Sequence, residues 1–215
     1  MAKRRKVGNL LALAVLSVLI ERPMHPYEMA SVLRERGKEQ DFEIKWGSLY
    51  TVVQNLEKHG FVAAAESTRQ GGRPERTVYR LTDAGRAELD DWIRELLAVP
   101  EREHPRFVAG LSIMAVLPPE DVISLLSQRL SRLQDEVAGE RTALTQAVRT
   151  IPRLFLVEAE FSLAIRQAEV TWLRSLLDEF TDGSFPELAQ WRAWHETGQI
   201  PDDLTTFPES EGSKD

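Results

Sequence analysis

Between residues 10 and 20 the chain carries a single polar side chain, that of Ser17. A helix that is apolar on every side has to be covered on every side, and this requirement constrains the fold more than any other feature. The run is too short to span a bilayer, which takes about 20 residues. Lys3-Arg4-Arg5-Lys6 ahead of it gives the outline of a signal peptide, yet Glu21-Arg22-Pro23 follows with no small-residue cleavage site. We therefore read residues 10–20 as a buried helix, of the kind sandwiched between two halves of a protein. Asn9 is its expected cap, and it ends before Pro23.

The elements that follow have a recognisable order. A second helix is predicted from Pro26-Tyr27, where proline suits the first turn, with Met29, Ala30 and Leu33 inward and an end near Gly37. A charged loop spans 38–45, and a third helix spans 47–59 and stops at Gly60. Two short extended segments, 61–67 and 77–81, flank Gly71-Gly72, the expected hairpin tip. Thr82 then caps a fourth helix running to about Ala98. Helix, helix, loop, helix, strand, glycine-tipped hairpin, strand, helix is the order of a winged helix-turn-helix.

The third helix carries the functional signal. Leu49, Val52, Val53 and Leu56 form its inward stripe, and at about 100° per residue Thr51, Gln54, Asn55 and Lys58 fall on the opposite face. Ser48 and Tyr50 flank that face, and Glu57 lies to its side. Side-chain amides such as Gln54 and Asn55 can pair with adenine edges, and Thr51 can touch a thymine methyl. Ser48, Tyr50 and the helix N-terminus suit phosphate oxygens. Arg69, Arg73 and Arg76 surround the glycine pair, where a wing over 67–77 can follow the phosphate backbone or enter a narrow minor groove. The bland alternatives are an ordinary solvated helix face and a solubilising loop in which Glu75 pairs with an arginine. The set taken together favours DNA.

Charge distribution agrees. Residues 1–87 hold 15 Lys+Arg against 10 Asp+Glu, a net of +5, whereas residues 88–215 carry −12 within an overall −7. A basic head on an acidic body suits a polyanionic partner at one end. Residues 1–7 form a basic arm that could lie on phosphate.

The second half reads as helices, expected over 105–200 after Pro100 and Pro105. Pro118-Pro119-Glu120 opens a long helix with Val122, Leu126, Leu130, Leu133 and Val137 in step. Another follows Pro152, with Phe161, Ile165, Ala168, Trp172 and Leu176 in step. Both repeats approach the 3.5-residue period of paired helices. They are too short for an independent coiled coil, and predict a dimerisation surface made by Leu126, Leu130, Leu133, Phe161, Ile165, Trp172 and Leu176. Residues 201–215 read as a disordered tail.

Other functions find little support. The absence of cysteine removes disulfides, thiolate metal sites and catalytic thiols, and fits a reducing cytoplasm. No P-loop, GxSxG or HExxH motif occurs. His25 with Glu28 could hold a metal, but such a pair is far more often a helix-start hydrogen bond. No enzyme activity, cofactor, metal or membrane association is expected. The alternative of a winged helix serving protein–protein contact stays open.

Four motifs then match one family in order. His25-Pro26-Tyr27-Glu28-Met29 resembles the HGYEL-like start of the second helix in the PadR family of bacterial transcriptional regulators. Gly47-Ser48-Leu49-Tyr50 resembles its GSLYP-like start of the recognition helix, and Leu56-Glu57-Lys58-His59-Gly60 the LExxG that ends it. Gly72-Arg73-Pro74 through Tyr79-Arg80-Leu81-Thr82-Asp83-Ala84-Gly85 resembles the wing, its return strand and the next helix start. Pro26 stands where glycine is usual, and Thr51 where proline is frequent.

The resemblance covers 8–98. It implies a DNA-binding domain there, with Tyr27 at the interface, and a helical C-terminal domain that forms the homodimer, as in the long-C-terminal-domain subfamily. It also implies repression of an inverted-repeat operator that a small effector relieves. Trp92, Trp172, Trp191 and Trp194 could line an effector pocket at the dimer seam, although core packing is the ordinary role for each.

Overall fold

The computed structural model describes residues 5–38, 42, 46–68, 76–101, 103–201 and 204, with only the backbone at Trp46, Glu66, Ser67, Thr68 and Arg76. The fold is mainly α with one two-stranded antiparallel sheet. The chain divides into two compact units, residues 1–103 and 104–215.

In the first unit α1, Leu10–Val18, starts where Asn9 Oδ1 accepts from the Leu11 N–H at 2.8 Å. Leu11 through Leu16 and Val18 are buried. Their cover comes from α2 (Pro26–Glu35), α3 (Trp46–Lys58) and α4 (Asp83–Ala98). These neighbours account for the apolar run within one unit, where the sequence suggested a helix between two halves. Burying a leucine side chain is worth about 1.5–3 kcal/mol, so α1 is a large share of this core.

The helix ends follow local chemistry. His25 caps α2 with Nδ1 accepting from the Tyr27 N–H at 3.1 Å, and Pro26 takes the first helical position. Helix α3 closes on Gly60, whose φ of 75° is left-handed. There the Phe61 N–H reaches Leu56 O and the Gly60 N–H reaches Glu57 O, both at 2.9 Å. This pattern satisfies the last carbonyls of the helix, with Leu56 and Phe61 both in the core.

Strand β1, Val62–Thr68, pairs antiparallel with β2, Arg76–Leu81, from Val62 opposite Leu81 to Thr68 opposite Arg76. The register shifts between Ala64 and Glu66, as an extra residue in one strand requires. Met24 adds a third, one-residue rung: it exchanges two 3.0 Å backbone bonds with Tyr79. The sequence offered no sign of this rung, because one residue has no periodicity.

Of the basic arm expected over residues 1–7, residues 1–4 lie outside the described residues, and Arg5 departs from the expectation. Instead of an arm available to phosphate, Arg5 has only 4% of its side chain exposed. Its guanidinium contacts Glu88 at 2.7 Å, Asp91 at 3.2 Å and Glu95, and lies 5.1 Å from the Trp92 ring centroid. Burial works against its charge, but the bonds and attraction of Glu88 and Glu95 outweigh it and hold the guanidinium above its ordinary value.

The second unit holds α5 (Arg106–Ser112), α6 (Pro119–Ala147), α7 (Val157–Asp182) and α8 (Leu188–Thr197), with single 3-10 turns at Met114–Val116 and Arg153–Phe155. The α6 and α7 helices run antiparallel, tied by Arg129–Glu169 at 2.6 Å and Arg166–Glu136 at 3.2 Å. Val122, Leu126, Leu133 and Val137 from α6 meet Leu163, Val170, Leu173 and Phe180 from α7, joined by Leu188 and Trp191 of α8. The indole N–H of Trp191 donates to Ala115 O at 3.1 Å and Leu117 O at 3.0 Å, which docks α8 on the start of α6.

This packing revises the expected dimer surface. Leu126 and Leu133 are buried inside the chain's own helix pair, and Leu130 and Leu176 are half-buried against the same core. Phe161, Ile165 and Trp172 keep 67%, 55% and 46% of their surface exposed. Helix α7 carries two apolar stripes, and periodicity alone does not say which one faces its own chain. Core packing accounts for Trp92 in the first unit and Trp191 in the second, both buried.

Candidate nucleic-acid interface

Helix α3 is positioned from behind. Leu49, Val52, Val53 and Leu56 are buried, and opposite them Thr51, Gln54, Asn55 and Lys58 are all exposed. Among the side chains described on this helix the only carboxylate is Glu57. Tyr50 is exposed at the start of the helix, and its ring meets that of His25 edge-on at 6.3 Å. Ser48 is half-buried beside it. Tyr27 is exposed in the first turn of α2. The N-terminal ends of α2 and α3 therefore present His25, Tyr27 and Tyr50, with His25 and Tyr50 in ring contact.

The start of α2 is braced by a reciprocal cap. His25 accepts from the Tyr27 N–H, and the Glu28 carboxylate accepts from the His25 backbone N–H. Arg22 lies 2.5 Å from Glu28 and, by its hydrogen bond, holds that carboxyl below its usual range. Arg36 does the same for Glu21, with contacts of 2.7 and 2.8 Å. Glu28 of α2 and Glu21 ahead of it are thus each paired with an arginine. The His25–Glu28 pair is a helix-start arrangement, and among the described residues no cluster of three His, Asp or Glu could hold a metal.

The wing is described only at its base. Arg69 and Arg73 lie outside the described residues, and Arg76 is placed by its backbone opposite Thr68. At the base, burial first and then the charge of Glu57 push the Tyr79 phenol of β2 above its ordinary value. Sequence reasoning missed the Arg5 cluster and the Glu21–Arg36 pair. Each joins residues far apart in the chain or on different elements, and spacing within one element carries no such signal. No helix among the described residues is long and apolar enough to cross a membrane.

Known proteins share this architecture. A relative in Bacillus subtilis (strain 168), the negative transcriptional regulator PadR, is 23% identical over 177 residues, covering 79% of this chain and 96% of the relative. The crystal structure of B. subtilis PadR in complex with operator DNA superposes with a TM-score of 0.62 at 24% identity, over 79% of this chain and 98% of that one. The structure of the same protein with p-coumaric acid gives 0.64 at 21% identity, over 79% and 97%. These two likenesses show the fold. The model of the transcriptional regulator PadR-like family matches residues 15–91, from inside α1 to inside α4 and so across α3 and both strands. Residues 15–91 thus carry the domain of the PadR-like family of transcriptional regulators.

Proposed function

We propose that this regulator binds double-stranded operator DNA in the cytoplasm as a homodimer, reading an inverted repeat with α3 and holding phosphate with the wing over 67–77. One observation carries the reading: four exposed side chains able to meet base edges or phosphate stand directly opposite four buried apolar ones on a single helix. Residues 8–98 would serve as the DNA-binding domain and 105–200 as the dimerisation and effector domain.

The homodimer is supported by the apolar stripe of α7, where Phe161, Ile165 and Trp172 remain exposed in the isolated chain. Repression is supported by the B. subtilis relative, named as a negative regulator. Effector release is supported by the p-coumaric acid complex of that relative. A groove of about 350 Å³ along α6, lined by Leu125, Gln128, Arg129, Arg132, Leu133 and Glu136, offers apolar and polar side chains of both charges to a small ligand.

The test is fluorescence anisotropy with duplexes tiled across the DNA upstream of the protein's own gene, at several salt concentrations. One duplex should bind far more tightly than the rest, with affinity falling steeply as salt rises. Equal, weak binding to every duplex would instead favour a winged helix that contacts protein.

A further inference from the structure

Tyr50 stands near the start of α3, and its side chain is exposed. A phenol on two rotatable bonds samples several directions unless a neighbour restricts it, and ordering such a side chain on binding costs free energy. His25 is the neighbour here. The two rings meet edge-on, with centroids 6.3 Å apart and planes at 71°, an arrangement in which aromatic rings attract.

His25 is itself held by contacts that owe nothing to Tyr50. Its Nδ1 accepts from the Tyr27 N–H at 3.1 Å, which sets the rotation of the ring. Its backbone is extended, at φ −76° and ψ 148°, the region to which a residue before proline is confined, and Pro26 is buried. On the other side Met24 is buried and exchanges two 3.0 Å backbone bonds with Tyr79 of β2. The half-buried imidazole is therefore the fixed member of the pair, and the exposed phenol of Tyr50 is the one it restrains.

We propose that His25 is a positioning residue for DNA binding: fixed in the cap of α2, its ring holds the Tyr50 phenol at the start of α3 in the direction that meets phosphate. The proposal rests on the reading of α3 as the DNA-contacting helix. It gives one side chain two separable roles. The ring nitrogen serves stability through the cap, and the ring as a whole serves Tyr50. Phosphate contacts fix orientation without reading bases, so the contribution of His25 is common to all duplexes.

The experiment sets two variants of His25 against each other in the full chain. His25→Asn keeps a side-chain acceptor for the Tyr27 N–H and removes the ring. His25→Phe keeps a ring beside Tyr50 and removes the acceptor. With duplexes tiled upstream of the protein's own gene at about 50 mM salt, H25N should bind about three- to tenfold more weakly, the range of one hydrogen bond, and by the same factor on every duplex. H25F should bind more tightly than H25N, while its urea midpoint should be the lower of the two. In a Tyr50→Phe background, which lacks the phenol hydroxyl, H25N should weaken binding no further.

Affinity and stability that rank the two variants in the same order would overturn the proposal, because His25 would then only cap its helix. An H25N variant that binds like wild type, or that loses as much affinity in the Y50F background as outside it, would overturn it too. Nuclear magnetic resonance of the tyrosine-labelled chain gives a reading independent of DNA. The chain has three tyrosines, and Y50F identifies the Tyr50 ring signals by their loss. H25N should move those signals, because a facing ring sets their shifts, and unmoved signals would overturn the ring contact itself. A wild-type chain that binds no duplex would overturn the reading of α3 and this proposal with it; Tyr50 signals that move in H25N would then separate that failure from a missing contact.

Discussion

The Thr82 hydroxyl donates to the carbonyl of Gly60 at 2.7 Å, across 22 residues of sequence. The same oxygen lies 3.0 Å from Phe61 O and accepts from the Gly85 N–H at 3.0 Å. One side chain therefore caps α4 and fastens its start to the end of α3. Replacing Thr82 with alanine should cost about 1–2 kcal/mol, a helix cap at the upper end of its usual range, whereas serine should retain most of it. Urea midpoints for the two variants check this, and equal losses would mean that the hydroxyl is not the cause.

Gly85 makes a sharper prediction. A Cβ added there would stand 2.0 Å from Phe61 O and 2.9 Å from a Leu81 methyl carbon. The obstructing atom is backbone and cannot turn aside. Gly85→Ala should therefore cost about 2–3 kcal/mol or more, at the high end of overpacking effects, although alanine is the better helix former. A thermal melt as stable as wild type would show that the approach of α4 to Phe61 is looser than described.

What the sequence disclosed and what it concealed divide along a physical line. Periodicity located the buried stripe of α3, because Leu49, Val52, Val53 and Leu56 lie on one element and repeat at its own pitch. Cap chemistry located Asn9 and Thr82 for the same reason, each acting on backbone within three residues. On α7, however, Phe161, Ile165 and Trp172 repeat as convincingly as Leu163, Val170 and Leu173. Which stripe faces its own chain depends on where α6 lies, and that is a long-range fact. Arg5 shows the limit in another way. Its basic neighbours suggested a phosphate contact, yet Glu88, Asp91 and Glu95 line one face of α4 about 85 residues later and claim its charge.

The cap of α2 should be sensitive to acid in a definite direction. Arg22 holds the Glu28 carboxyl below its usual range, so the pair contributes stability above the unfolded carboxyl value of about 4.3 and loses it as pH falls through the depressed folded value. Arg22→Ala should thus lower the melting temperature slightly at pH 7 and by less near pH 3. The pair is exposed, so the effect is small at any pH. A penalty of equal size at both pH values would assign it to lost packing of the arginine stem.

The two apolar stripes of the second unit should respond differently to substitution. Ile165→Asp places a charge on an exposed residue, so the chain should stay folded and sediment as a monomer. Leu133→Ala removes a buried side chain from between α6 and α7 and should cost about 2–5 kcal/mol of stability. Sedimentation equilibrium together with urea denaturation separates the two outcomes. An I165D variant that remains a tight dimer would move the interface off the α7 stripe.

On α3, Asn55 and Lys58 are both exposed on the same face, but their chemistry assigns them different work. An amide can donate to and accept from one adenine edge, so Asn55→Ala should relax preference at one base pair and cost about 1–3 kcal/mol on the best duplex, with little loss on mismatched ones. An ammonium is a compact charge without a directional pattern. Lys58→Ala should weaken all duplexes alike and reduce the slope of log affinity against log salt by about one unit. Because the two residues stand less than one helical turn apart, any distortion of α3 would affect both variants together. Opposite signatures, one in base preference and the other in salt slope, can arise only if the helix lies in the groove with this face toward the bases. If both variants merely scale every affinity by a common factor, α3 meets the DNA backbone and the bases are read elsewhere.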